Sequence, residues 1–269
     1  MGVLPPSSCI RAVREAADSI LSVVLAPACA VCREPLDHPT QGPVCAPCWH
    51  AVLPLTPPTC DRCGDPLPSW RSVSLPLATC PRCRRAGRVV DRARAVGAYE
   101  GTLRSIIHAI KYDARRSLAR PLGELMRERG ADMLENALCA VPVPLHPSRR
   151  RTRGFNQADD LARQLGIPVV AALRRVEATR PQTGLPAAQR HRNVRGAFAV
   201  TRAGRTLAGA TVVLVDDVST TGATLEACAR VLRASGVAEV RALTAARVVG
   251  RVLSDSRTTN GSRPATTRP

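Results

Sequence analysis

The sequence predicts an α/β protein with a parallel sheet, preceded by a small cysteine-bound module, and three observations carry that prediction. From Tyr99 onward, short apolar runs alternate with segments whose apolar residues recur at helical spacing. Strands that alternate with helices form parallel sheets covered on both faces. Residues 29–83 are instead rich in Cys and Pro with little hydrophobic periodicity, so something other than apolar burial must hold them together. At 269 residues the chain can bury a sizeable core. Only 2% of it is aromatic, so that core must be built from Leu, Val, Ile and Ala.

The elements follow in chain order. The segment RAVREAADSILSVVLAPAC has arginines, an apolar run and small residues, which is the layout of an export signal. Glu15 and Asp18 interrupt that layout, and an amphipathic helix over 1–28 is the preferred reading. No run approaches the ~18 apolar residues that span a bilayer.

Eight of the eleven cysteines then fall in four CxxC pairs, Cys29/Cys32, Cys45/Cys48, Cys60/Cys63 and Cys80/Cys83, separated by twelve, eleven and sixteen residues. Disulfide frameworks have no reason to repeat a two-residue gap, whereas tetrahedral metal sites do. Two knuckles close around one zinc ion with sulfurs at ~2.3 Å and no open position, the mark of a structural site. The expectation is a double zinc-ribbon-like module over 29–90 with two ions. Sequential pairing of the knuckles closes the shorter loops, and a crossed pairing is the alternative. A redox CxxC would need a helix start beside a βαβ unit, and none of the four sits at one. Metal-binding thiolates imply a reducing compartment, hence a cytoplasmic protein.

A second domain is expected over 91–252. Leu103, Ile106, Ile107 and Ile110, and then Leu118, Leu122, Leu125 and Met126, repeat at helical spacing and predict two amphipathic helices. LCAVPVPL at 138–145 reads as a buried strand, and Ala158, Leu161, Ala162 and Leu165 as a helix stopped at Gly166. IPVVAAL reads as a second strand, Val212–Val215 as a third, Leu225–Leu232 as a helix and VRALTAARVV as a fourth strand. Between the second and third strands, LRRVEATRPQTGLPAAQRHRNVRGAF is long, basic and without period; loops of that length are functional or disordered. The tail over 253–269 is polar and expected to be disordered. Beyond the cysteine pairs, no internal repeat is evident.

The stretch VVLVDDVSTTGATLEA, Val212–Ala227, carries the chemistry. It leaves a buried strand, turns and enters a helix, where ligands of open α/β sheets collect. Amides from Thr220 to Thr224 at the helix start, with hydroxyls beside them, make a nest for a phosphate monoester. Asp216 and Asp217 would repel that phosphate, so they must face hydroxyls or a divalent cation. Vicinal ribose hydroxyls fit. Paired acids after a strand also hold Mg²⁺ in phospho-acceptor domains, but those lack the threonine-glycine turn. A Walker loop is excluded because GxxxxGK[ST] is missing. The formal charge of +18 attracts anions such as nucleic acid or phosphorylated metabolites, although solubility alone accounts for it equally well. Lys111 is the single lysine, and either chance or a need for a compact charge explains it.

VVLVDDVSTTGAT resembles the phosphoribosyl pyrophosphate (PRPP) signature of type I phosphoribosyltransferases. Together with the four CxxC pairs, HAIKYDARRSLARPL, VPVPLHPSRRRTRGFNQ and TRPQTGLPAAQRHRNVRGAF, it resembles the ComF family of competence-associated proteins over roughly Cys29–Val249. The resemblance implies a cytoplasmic protein with a zinc finger and a type I phosphoribosyltransferase fold. In some members it is tied to incoming single-stranded DNA and the competence machinery. It implies that Asp216 and Asp217 take the ribose hydroxyls, and that the turn of Ser219, Thr220, Thr221, Gly222, Ala223 and Thr224 takes the 5′-phosphate. Pyrophosphate, with Mg²⁺, is then expected against the loop where Arg149, Arg150, Arg151 and Arg153 precede Gly154, with Lys111 a further catalytic candidate. Gln182, Thr183, Arg192 and Asn193 are expected in a mobile cover. The reading leans to a transferase of unknown acceptor. Its rival is a PRPP-sensing, single-stranded-DNA-binding accessory protein, which the scarcity of aromatic rings weakens.

Overall fold

The fold comes from a computed structural model, which describes residues 6–67, 78–85, 87–176 and 196–249. The expected cover residues 182, 183, 192 and 193 and the tail lie outside the described residues.

Helix α1 (Pro6–Leu25) leads the chain onto the first cysteine module. Asp18 is buried there and accepts the Thr40 N–H at 2.8 Å, and Ser22 Oγ donates to the Leu36 carbonyl at 3.2 Å. The other side of α1 leaves Ile10, Val13, Ile20 and Val23 exposed. None of the described helices is long and apolar enough to cross a membrane.

The two modules that follow share one plan. In each, a bridged turn carries the first CxxC, with Ala28 opposite Pro35 and Thr59 opposite Pro66. A short helix then carries the last cysteine: α2 (Ala46–His50) bears Cys48, and α3 (Pro81–Arg85) bears Cys83. Backbone bonds match one for one: Cys29 N–H to Glu34 O and Cys60 N–H to Asp65 O, Leu36 N–H to Pro27 O and Leu67 N–H to Pro58 O. Arg33 and Gly64 both stand at a φ of 70°. An internal repeat therefore extends beyond the cysteine pairs, PACAVCREPL against PTCDRCGDPL, with proline and leucine positions recurring along with the cysteines.

The rest of the described chain builds one parallel sheet. β1 (Arg92–Ala98) is followed by α4 (Gly101–Tyr112), α5 (Ala119–Arg129) and α6 (Ala131–Leu134). Next come β2 (Cys139–Pro142), α7 (Pro147–Arg153) and α8 (Gln157–Ala162). A small antiparallel pair, β3 (Leu173–Arg175) and β4 (Phe198–Val200), leads through α9 (Arg202–Arg205) to β5 (Thr211–Ser219), α10 (Ala223–Ala234) and β6 (Glu239–Arg247). The sheet order is β1-β6-β5-β2, all parallel.

Both faces are covered, as the apolar strands require. Val213, Val215 and Leu243 pack with Leu103, Ile106, Leu122, Met126 and Leu161 from α4, α5 and α8. Val212, Leu214, Val240 and Ala242 pack on the opposite face with Leu225, Cys228 and Leu232 of α10 and with Phe198 of β4. The neighbouring strands β2 and β5 thus send their following helices, α8 and α10, to opposite faces. That divergence opens a crevice at the carboxyl ends of these two strands, the switch point where such sheets bind ligands.

Two strand expectations need correction. IPVVAAL is no sheet strand: only Val169 bridges to Ala140, and the chain then turns away into β3. Pro168 has no N–H to give a ladder, so the contact is limited to Ala140 N–H to Pro168 O and Val170 N–H to Ala140 O. The edge strand β1 is absent from the sequence expectations, because RARAVGA alternates arginine with small residues and shows no apolar run.

Candidate active site

Strand β5 is fully buried from Val212 to Val215 and turns acidic while still in the ladder, with Asp216 opposite Thr244 and Val218 opposite Ala246. The two acids therefore ride on a paired strand rather than on a loose turn. Asp217 is buried, and its Oδ1 lies 2.9 Å from Lys111 Nζ at the end of α4. The apolar face of α4 fixes that lysine, because Ile106, Ile107 and Ile110 are locked into the core one turn before it. Asp216 Oδ1 accepts the Asp217 N–H at 2.9 Å.

Asp217 Oδ2 is buried and has no hydrogen-bond partner among the described residues. An orphaned acceptor of this kind costs about 1–3 kcal/mol, and it is satisfied by a donor arriving from outside. Burial, and then the neighbouring Asp217 carboxylate, push the Asp216 pKa up to about 7 against the pull of Lys111 and Arg175. Burial drags the Lys111 ammonium down, but the Asp217 carboxylate more than offsets it, leaving its pKa above the ordinary lysine value.

Past Ser219 the chain turns through Gly222, which caps α10 at a φ of +78°. Only glycine enters that left-handed region without strain. The opening amides of α10 have no carbonyl four residues back, and the macrodipole of the twelve-residue helix adds positive potential at its start. The Thr221 hydroxyl accepts the Ala223 N–H at 3.4 Å and holds the turn in shape.

Across the crevice, after β2, the expected arginine loop is a helix. His146 caps α7 by accepting the Ser148 N–H at 3.2 Å, and Gly154, at a φ of +77°, ends it. Helical spacing puts Arg149 and Arg153 on one side, where they line a cavity of about 500 Å³ with Lys111, Tyr112, Ser148 and Phe155. Arg150 and Arg151 are exposed. The cavity thus brings together three of the residues singled out from the sequence, and the Lys111–Asp217 pair joins it to the acids.

The cysteines form two clusters, Cys29/Cys32/Cys45/Cys48 and Cys60/Cys63/Cys80/Cys83, each with its four sulfurs within 4.8 Å of one another. The knuckles pair sequentially. Sulfur–sulfur distances of 3.9 Å for Cys29–Cys48 and 3.7 Å for Cys32–Cys45 and Cys63–Cys80 match the edge of about 3.8 Å in a tetrahedron of sulfurs around zinc. These residues fit two structural zinc ions.

Comparison with known proteins agrees with this architecture. Residues 20–84 match the double zinc ribbon domain and residues 151–259 the phosphoribosyl transferase domain. Competence protein F of Haemophilus influenzae is 31% identical over 79% of this chain and 93% of its own length. DNA utilization protein YhgH is 32% identical in Salmonella typhimurium and 33% in Escherichia coli K12, with the same coverage. The chain belongs to the ComF family.

Several residues around this ComF-family site carried no signal in the sequence. Arg175 reaches in from β3, with its guanidinium 5.3 Å over the Phe198 ring. Burial, and then Arg149, pull its pKa below the ordinary arginine value, while Asp216 pulls the other way. Glu226, buried in the first turn of α10, accepts the Val89 N–H at 2.9 Å and faces Arg88 Nη1 at 3.4 Å. Arg247, also buried, donates to Asp65 and to Ser219 Oγ. Arg88 and Arg247 find their partners 138 and 182 residues away, beyond any local pattern.

Proposed function

We propose that this crevice binds PRPP and transfers its ribose 5-phosphate to a nitrogen nucleophile, releasing pyrophosphate. The observation that carries the reading is the buried, unpartnered Asp217 Oδ2, beside Lys111 and one turn ahead of the left-handed Gly222. A ribose hydroxyl is the donor that oxygen lacks. With the diol over Asp216 and Asp217, the 5′-phosphate lies against Ser219–Thr224, where the opening amides of α10 and the threonine hydroxyls meet it. Arg149 and Arg153, on the cavity wall, hold the pyrophosphate through charge-assisted hydrogen bonds.

The reaction needs no covalent nucleophile. As the C1–O bond lengthens, positive charge grows on the sugar and negative charge on pyrophosphate, and fixed charges aimed at the latter lower the barrier. The carboxylates are hard oxygen donors suited to a magnesium complex of the substrate. Mg²⁺ bound with pyrophosphate would neutralise the leaving group. Lys111 occupies Asp217 Oδ1 and leaves Oδ2 to accept from the sugar, and Asp216 holds the strand end through the Asp217 N–H.

Calorimetry with PRPP and Mg²⁺ should find Asp217→Asn weakened at least about tenfold, the effect of losing one charged hydrogen bond. Equal affinity for wild type and variant overturns the reading. Pyrophosphate release over a panel of nucleobases then identifies the acceptor.

A second reading, nucleic-acid binding, is favoured by one feature. Tyr112 is 66% exposed at the cavity edge with Arg153 5.4 Å over its ring, and Arg116 stands 5.1 Å over Phe155. The exposed Tyr112 ring beside a guanidinium offers a stacking position for a single-stranded base, whereas Phe155 is buried beneath Arg116. The curated relatives are named for competence and DNA utilization, and a role beside incoming DNA suits that surface. A steep salt dependence of oligonucleotide binding, lost in Tyr112→Ala, without pyrophosphate release, would favour this reading over turnover.

A further inference from the structure

Two buried arginines run from the second cysteine cluster to the two ends of the turn after β5. At the near end, Arg247 closes β6 with a side chain only 3% exposed. Its Nε donates to Asp65, and its Nη1 lies 3.4 Å from Ser219 Oγ, where the turn begins. Asp65 belongs to the knuckle itself: its carbonyl accepts the Cys60 N–H at 2.7 Å, and its carboxylate also takes Arg82 at 3.0 Å, next to Cys83.

At the far end, Arg88 follows Cys83 by five residues and its side chain is 9% exposed. Its Nη1 faces Glu226, whose own N–H donates to the Gly222 carbonyl at 2.9 Å. The same nitrogen stands 3.4 Å from the point a Cβ on Gly222 would occupy. The guanidinium therefore lies against the backbone of the left-handed residue that starts α10. Arg247 thus joins the knuckle's Asp65 to one limb of the turn, and Arg88, five residues past Cys83 in the sequence, meets the other.

We propose that zinc in the second cluster and a phosphate ester in the Ser219–Thr224 turn are energetically coupled through Arg88 and Arg247, while the first cluster is not part of this link. Both arginines are positioning residues. They hold the turn in its binding shape only while the knuckle holds Asp65 and Arg88 in place. Coupling is reciprocal, so phosphate in the turn must in return tighten the binding of zinc by Cys60, Cys63, Cys80 and Cys83, and slower transfer of that zinc to a chelator is the expected sign of it. The inference rests on the reading that this turn takes the 5′-phosphate.

The test uses the full chain carrying both zinc ions and ribose 5-phosphate without Mg²⁺ as the probe. Zinc transfer to a chromophoric chelator is followed with and without the sugar phosphate, and the second-cluster phase is assigned with Cys83→Ser. Saturating ribose 5-phosphate should slow that phase about fivefold or more and leave the first-cluster phase unchanged. In Arg88→Met and Arg247→Met the protection should disappear, with ribose 5-phosphate affinity falling by a matching factor. Arg88→Lys should recover part of both. Calorimetry separates the two failures. If ribose 5-phosphate binds the wild type but alters neither phase, or slows both alike, the coupling is overturned and the phosphate reading stands. If it does not bind, both fall. The wild-type arm decides the matter even where a variant fails to fold.

Discussion

The two cysteine modules repeat one backbone pattern in their described knuckles, yet they join the protein in different ways. The first is sunk into the main core: Leu36, Val44, Cys48 and Val52 share a cluster with Val96, Leu103 and Leu122. Among the described residues the second keeps a cluster of its own, with Leu67 and Ala78 around Cys60, Cys63, Cys80 and Cys83. It meets the sheet through polar contacts, such as Ala93 N–H to Arg62 O at 2.9 Å and Arg94 Nη1 to Asp61 O at 3.0 Å. One pair of matched residues records the difference. Arg33 is exposed in its left-handed position, whereas Gly64 is pressed against β1, so that a Cβ there would stand 2.8 Å from Ala93 O. The same knuckle has been used once as part of the core and once as a polar clamp on the site.

The largest effect that separates the two is expected from losing a metal. Cys29→Ser should lower the melting temperature by on the order of 10 °C, because the apolar residues anchored on that knuckle leave the core with it. Cys60→Ser should lower it clearly less. Thermal melts with zinc stoichiometry check this, and equal shifts would break the contrast.

A smaller difference is expected from matched leucines. Leu36→Ala removes a side chain packed into the main core and should destabilise by about 2–3 kcal/mol in urea titration. Leu67→Ala, in the cluster apart from the main core, should lose less than half of that, since a gap outside the main core relaxes more readily.

A last effect, read against pH, belongs to neither module. Asp216 has its folded pKa raised to about 7 from an unfolded value of about 3.9. The protonated form is thus favoured by the fold, and the stability it contributes is fully present below about pH 4 and is lost as pH rises through about 7. Stability curves for Asp216→Asn should lack this slope.

How much of this was legible in the sequence depends on the range of each signal. The knuckles and the Asp-Asp–threonine–glycine stretch are contiguous, and α4 and α5 are written in the spacing of Ile106, Ile110, Leu122 and Met126. The strand identity of Arg92–Ala98 is instead imposed by its partner β6, which supplies the ladder from Arg241 to Arg247. IPVVAAL misleads because an apolar run does not reveal whether a neighbouring strand is there to pair with it. The arginines that bracket the turn are invisible in a chain with so many, since only the fold selects which ones are buried.

The position of β6 between β1 and β5 has a consequence for biosynthesis. Both knuckles leave the ribosome early, with all eight thiols synthesised before the last strand of the sheet. The sheet cannot close until residues 239–247 have followed them out, because β1 and β5 meet only through that last strand. Arg247 belongs to the same strand. A nascent chain therefore carries its ribbons long before it has a pocket, and the pocket's final fastening arrives with the end of the sheet.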